Sequence, residues 1–151
     1  MGDLTTVDEI LDFAIQNEQG AVDMYTALSG KAKSAAMKAA FEQFAGEERG
    51  HKVKLEAVKA GKRLLKAEAQ VQDLKLGEYL VEDADTDNLD YQGVLILAMK
   101  QEKAAFRLYT DLAARTDDAE IQGILLGLAQ EEAKHKLRFE VEYDENILSE
   151  N

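Results

Sequence analysis

Two Glu-x-x-His segments, Glu48-x-x-His51 and Glu132-x-x-His135, carry the residue types that could do chemistry. Thirty residues upstream of each leading glutamate stands another, Glu18 or Glu102, followed seven residues later by Tyr25 or Tyr109. Residues three apart rise about 4.5 Å along a helix and share a face, so one carboxylate and one imidazole can address one point. Four glutamates and two histidines form the donor set with which carboxylate-rich helical bundles hold two iron or manganese ions. Oxygen and imidazole donors suit those metals, and a chain without cysteine does not favour copper(I).

All six residues fall in apolar seams with alternating steps of three and four, the pattern of a core-facing helix. The first seam is Leu11, Ala14, Glu18, Ala21, Tyr25, Leu28, and the second is Met37, Phe41, Phe44, Glu48, His51, Leu55, Val58. The third is Leu95, Ala98, Glu102, Ala105, Tyr109, Leu112, and the fourth is Ile121, Leu125, Leu128, Glu132, His135, Phe139. A single Glu-x-x-His is ordinarily a solvated helix face; six such groups in the seams are not. Four ionised glutamates there would place a formal charge of about −4 in the core, which burial does not tolerate unpaired. Two divalent cations neutralise it. Six protein groups do not saturate two metals if two glutamates bridge, so positions stay open for dioxygen, peroxide or water. Glu47 and Glu131, one residue off the seam, read as surface or supporting residues. Tyr25 and Tyr109 are either plain core residues or hydrogen-bond donors to the ligand carboxylates.

Four helices must position these groups, over about 7–29, 35–60, 91–115 and 118–144. Thr6 with Glu9 is a capping box, Ser34 and Asp90 are N-caps, and Leu89 with Val94 forms a staple. Gly30 and Gly61 mark helix ends, and Thr116-Asp117 marks the last turn and cap. The short link 31–33 makes the first two helices an antiparallel hairpin. The second hairpin echoes the first at an offset of 84 residues. Positions 14–57 and 98–141 share 13 identities in 44, with the glutamates, histidines and tyrosines among them, so the hairpins are repeats related by a pseudo-two-fold axis. The expected architecture is all-α: a single four-helix domain over 1–151, with hairpins 7–60 and 91–145 joined by a long crossover, 61–90. Within the crossover, 62–69 continues helically and 76–81 forms a short helix. Asp83–Asn88 resembles the start of a calcium loop. Asn88 stands where that loop needs glycine and Val94 where it needs glutamate, so the stretch reads as connection.

Hydrophobic residues make up 46% and charged residues 32%, the balance of a globular chain. Proline and tryptophan are absent, which favours long helices. A net charge of −12 without a basic stripe excludes a nucleic-acid partner. The absence of cysteine excludes disulfides, thiolate metal sites and a cysteine nucleophile. The start lacks a basic and an apolar signal region, and apolar runs such as 94–99 are too short to span a membrane. Met1-Gly2 with Thr6 matches a myristoylation pattern only formally. The cytoplasm is the expected location.

With these motifs the chain resembles the rubrerythrin-type di-iron domain of the ferritin-like superfamily. Glu18, Tyr25, Glu48-x-x-His51, Glu102, Tyr109 and Glu132-x-x-His135 fall where that pattern has them, and 129–135 is close to the usual wording of its last helix. The resemblance implies two iron ions, with manganese or zinc as substitutes. Glu48 and Glu132 would bridge them; Glu18 with His51 would complete one site and Glu102 with His135 the other. It implies reduction of hydrogen peroxide or dioxygen in defence against oxidative stress, and pairing as a homodimer. The cysteine-bearing rubredoxin domain of rubrerythrins proper has no counterpart here, so a separate rubredoxin-like carrier is the expected electron donor. Their extra glutamate one turn after the third-helix ligand is replaced by Ala105, which leaves a more symmetric site, similar to that of bacterioferritin. Arg49 occupies the place of the bacterioferritin haem methionine, so no haem is expected. The alternative readings are a ferroxidase or iron-handling protein and a metal-stabilised bundle without catalysis.

Overall fold

A computed structural model describes residues 5–81 and 89–150, with side chains described through 146. Met1–Leu4 and the acidic stretch Asp83–Asn88 lie outside the described residues. Four long helices form the bundle: α1 (Val7–Lys31), α2 (Ala35–Gly61), α4 (Tyr91–Ala113) and α5 (Ala119–Glu150), with one short turn, α3 (Glu68–Val71), in the crossover. Helices α1 and α2 pack along their length, as do α4 and α5, which makes two hairpins.

Local chemistry sets the helix starts. The Thr6 hydroxyl accepts from Glu9 N while Glu9 accepts from Thr6 N, completing the capping box. Ser34 caps α2 through Met37 N, and Asp90 caps α4 through Gly93 N. The last helix departs from the sequence reading. Its cap is Asp118, which accepts from Glu120 N and Ile121 N, while Thr116 accepts from Asp118 N in the preceding turn. It also continues to Glu150, beyond the stop near Asp144. Helix α2 ends through Lys62 in the left-handed region (φ 56°), one residue after the glycine marked as its stop. Helix α1 passes Gly30 to end at Lys31, and α4 stops at Ala113.

The buried residues form two clusters at opposite ends of the bundle, each built from both hairpins. One holds Leu11, Leu55, Tyr109, Leu112 and Leu125; the other holds Tyr25, Leu28, Phe41, Leu95 and Phe139. Of the predicted seams, Phe44 and Ala105 are only half-buried. The crossover is itself part of the core. Leu64, Val71, Leu74 and Tyr79 are buried in the first cluster, and Glu68 accepts from the free N–H of Val7 at the start of α1 (2.9 Å). Among the described residues no helix is long and apolar enough to cross a membrane.

Candidate metal centre

Between the two clusters, at mid-height, the six seam residues converge. Glu18, Glu48, His51, Glu102, Glu132 and His135 are each at most 2% exposed. Donor atoms of Glu18, Glu48, His51 and Glu132 lie within 4.8 Å of one another, and so do those of Glu48, Glu102, Glu132 and His135. Glu48 and Glu132 therefore belong to both groups. The histidine rings face each other in parallel, 6.4 Å between centroids and 12° between planes.

Each histidine divides its two nitrogens between the interior and the surface. His51 Nδ1 points inward, 2.9 Å from Glu132 and 3.5 Å from Glu18, and His135 Nδ1 lies 3.0 Å from Glu48 and 3.6 Å from Glu102. These separations suit ion pairs, yet neither Nδ1 makes a hydrogen bond. The outer nitrogens do: His51 Nε2 donates to Glu131 and His135 Nε2 to Glu47, each carboxylate belonging to the other hairpin. Such an outer bond fixes the tautomer and turns the inner nitrogen into a free donor for a metal. Glu47 and Glu131 thus act on the site through the histidines. The signal for them was their placement immediately before the motif glutamate in both copies; the cross-pairing was not legible.

The tyrosines differ. Tyr109 donates its hydroxyl to Glu18, while the Tyr25 hydroxyl is buried with no hydrogen-bond partner among the described residues. Tyr25 instead packs among Phe44, His135 and Phe139, with ring centroids 5.3–6.3 Å away.

The chain matches the sequence profile of the Rubrerythrin family over residues 9–143. It belongs to the rubrerythrin family. A search of curated proteins finds no match. Among solved structures, it is similar to a Thermotoga maritima protein assigned as a ferritin-like diiron-carboxylate protein, with 22% identity and a TM-score of 0.78 over 97% of this chain and 99% of that one. At that identity the likeness concerns the fold, which is ferritin-like.

The charge state of this rubrerythrin-family core bears on what it can hold. Burial, reinforced by Glu48, raises Glu18 to about 8, and burial with repulsion from Glu132 raises Glu48 to about 7. Burial also raises Glu102 and Glu132. Burial alone would lower the histidines, but their carboxylate partners outweigh it and push His51 and His135 up to about 11. Carboxylates here resist ionising and imidazoles resist losing a proton, so a proton inventory stands in for cations. One or both oxygens of Glu18, Glu48, Glu102 and Glu132, and both Nδ1 atoms, lack hydrogen-bond partners among the described residues. A buried polar atom left unpaired costs about 1–3 kcal/mol, more for a charged group. Seven atoms without hydrogen bonds, five of them held only by ion-pair contacts to one another, fit two cations, and hard oxygen and imidazole donors fit iron.

Proposed function

We propose that this protein is a non-haem di-iron oxidoreductase that reduces hydrogen peroxide or dioxygen. Glu48 and Glu132 would bridge two irons, Glu18 and His51 would complete one site, and Glu102 and His135 the other; manganese or zinc could substitute. The observation that carries the reading is the set of buried oxygens and nitrogens without hydrogen bonds, gathered in two groups that share Glu48 and Glu132. Bound iron would supply the electrons for O–O bond cleavage by passing from iron(II) to iron(III).

The protein's own residues have separate tasks. Glu47 and Glu131 hold the imidazoles so that Nδ1 faces inward. Tyr109 fixes the orientation of Glu18 and can hold a proton at its hydroxyl beside that carboxylate. The apolar clusters above and below close the centre off at both ends of the bundle. The reductant would be iron(II) itself or a separate rubredoxin-like carrier, and the working unit a cytoplasmic homodimer.

Anaerobic loading with iron(II), followed by addition of peroxide or oxygen under optical spectroscopy, tests this reading. Oxidation of about two irons per chain with stoichiometric loss of peroxide, and iron retained afterwards, is the expected result. Oxidised iron that leaves the protein would favour an iron-handling role. No optical change and no loss of peroxide would leave a metal-stabilised bundle.

A further inference from the structure

A cavity of about 450 Å³ lies between α1 and α4, and its floor is formed by Glu18, Glu48, Glu102 and Glu132. Hydrogen peroxide has two heavy atoms, whereas cavities of this volume hold small organic ligands. The room comes from small side chains at matching places on the two helices: Ala21 on α1 and Ala105 on α4. Met24 and Leu97 extend the apolar wall, and Leu80, 67% exposed, sits at the lip beside Tyr79. Tyr79 is held there by its hydrogen bond to Asp111 (2.5 Å). Among the described residues, five carboxylates line the cavity, counting Asp23, and no lysine, arginine or histidine does. With two cations neutralising the four floor glutamates, the described wall still offers an anion no cationic partner and sets one carboxylate, Asp23, beside it.

We propose that this cavity binds an uncharged organic hydroperoxide. The peroxide group lies at the carboxylate floor and the apolar remainder against Ala21, Met24, Leu97 and Ala105. The inference rests on the peroxide-reducing reading above and names the substrate class of that same site. The chemistry balances: ROOH takes up two electrons and two protons, the O–O bond breaks, and ROH and water leave. The electrons come from two iron(II) oxidised to iron(III), and the protons come from solvent.

The first test is binding, on redox-inert zinc-loaded protein. Cumyl alcohol, the reduction product of cumene hydroperoxide, is titrated while the methyl resonances of Met24 and Leu97 are followed by NMR. Saturable shifts are expected, and they are lost in Ala105→Phe or, should that variant fold poorly, in Ala104→Leu, which narrows the same wall. The second test is single turnover of iron(II)-loaded protein. Cumene hydroperoxide should oxidise the iron at least about tenfold faster than the carboxylate-bearing linoleic acid hydroperoxide, and the wall variants should lower the cumene-to-hydrogen-peroxide rate ratio by about tenfold or more. If hydrogen peroxide oxidises the iron while cumene hydroperoxide does not and cumyl alcohol causes no shift, the inference is overturned and the peroxidase reading stands. If neither peroxide oxidises the iron, both fall.

Discussion

Glu18 and Glu102 occupy matching positions in the two hairpins, yet only Glu18 accepts a tyrosine hydroxyl. Near the imidazoles the halves agree closely. His51 to Glu132 is 2.9 Å and His135 to Glu48 is 3.0 Å, and the outer nitrogens are cross-paired in both directions. One shell further out the agreement ends. Tyr25 lies in an aromatic slot with Phe44 and Phe139, whose counterparts in the other half are Leu128 and Leu55, in the same cluster as Tyr109. The six buried donors keep the symmetry because both halves address one charge centre. The surrounding packing is under no such demand and has diverged.

The largest effect should separate shared from unshared glutamates. Glu48→Ala or Glu132→Ala should abolish two-metal binding, while Glu18→Ala or Glu102→Ala should leave about one metal per chain. Metal content of the purified variants reads this directly, and unchanged content in both Glu48 and Glu132 variants would sink the assignment.

Next comes pH, where the two halves act together. Without metal, burial first and neighbouring Glu48 second hold Glu18 up to about 8, against an ordinary value of 4.5. The folded state therefore binds more protons than the unfolded one between those values, and stability falls as pH rises through that window. The histidines, held up to about 11 by their carboxylates against the opposing effect of burial, extend the fall above 6.5. The Tm of chelator-treated protein should drop by about 10 °C between pH 5 and 8. Metal-loaded protein should stay level, because cations replace the protons.

A smaller effect should come from the carboxylates that hold the histidines. Glu131→Gln should weaken the metal site of His51, and Glu47→Gln that of His135, by about 10–100-fold each in a chelator competition. Unequal losses would show that the halves diverge nearer the metals than the geometry indicates.

The tyrosines give the smallest effect and the sharpest contrast. Tyr109→Phe removes a hydrogen bond and leaves a buried Glu18 oxygen unpaired, a loss of about 1–3 kcal/mol in urea unfolding. Tyr25→Phe loses no partner and should lie within about 0.5 kcal/mol of the parent. Equal losses would mean that the hydroxyls are equivalent in solution.

Much of this was legible in the chain because helical periodicity is local. Steps of three and four put Glu18, Glu48, His51, Glu102, Glu132 and His135 on core faces, and Thr6, Ser34 and Asp90 announced three helix starts by their own side-chain chemistry. The fourth start was displaced to Asp118 because a run of candidate caps, Thr116-Asp117-Asp118, offers several choices that only the turn geometry separates. The crossover was harder. Its 3₁₀ turns at Arg63–Ala67 and Leu76–Tyr79 carry too few residues for a period, although Leu64, Val71, Leu74 and Tyr79 are buried.

By itself, the sequence determined the all-α fold, the repeat and the six convergent donors, since spacing along a helix decides which groups share a face. It could not decide which partner each group meets across the bundle. The pairing of His51 with Glu131 and of His135 with Glu47, the tie between Tyr109 and Glu18, and the open space beside Ala21 and Ala105 depend on how the hairpins sit against each other. That docking is fixed by packing between residues about 80 or more positions apart, which no local spacing records.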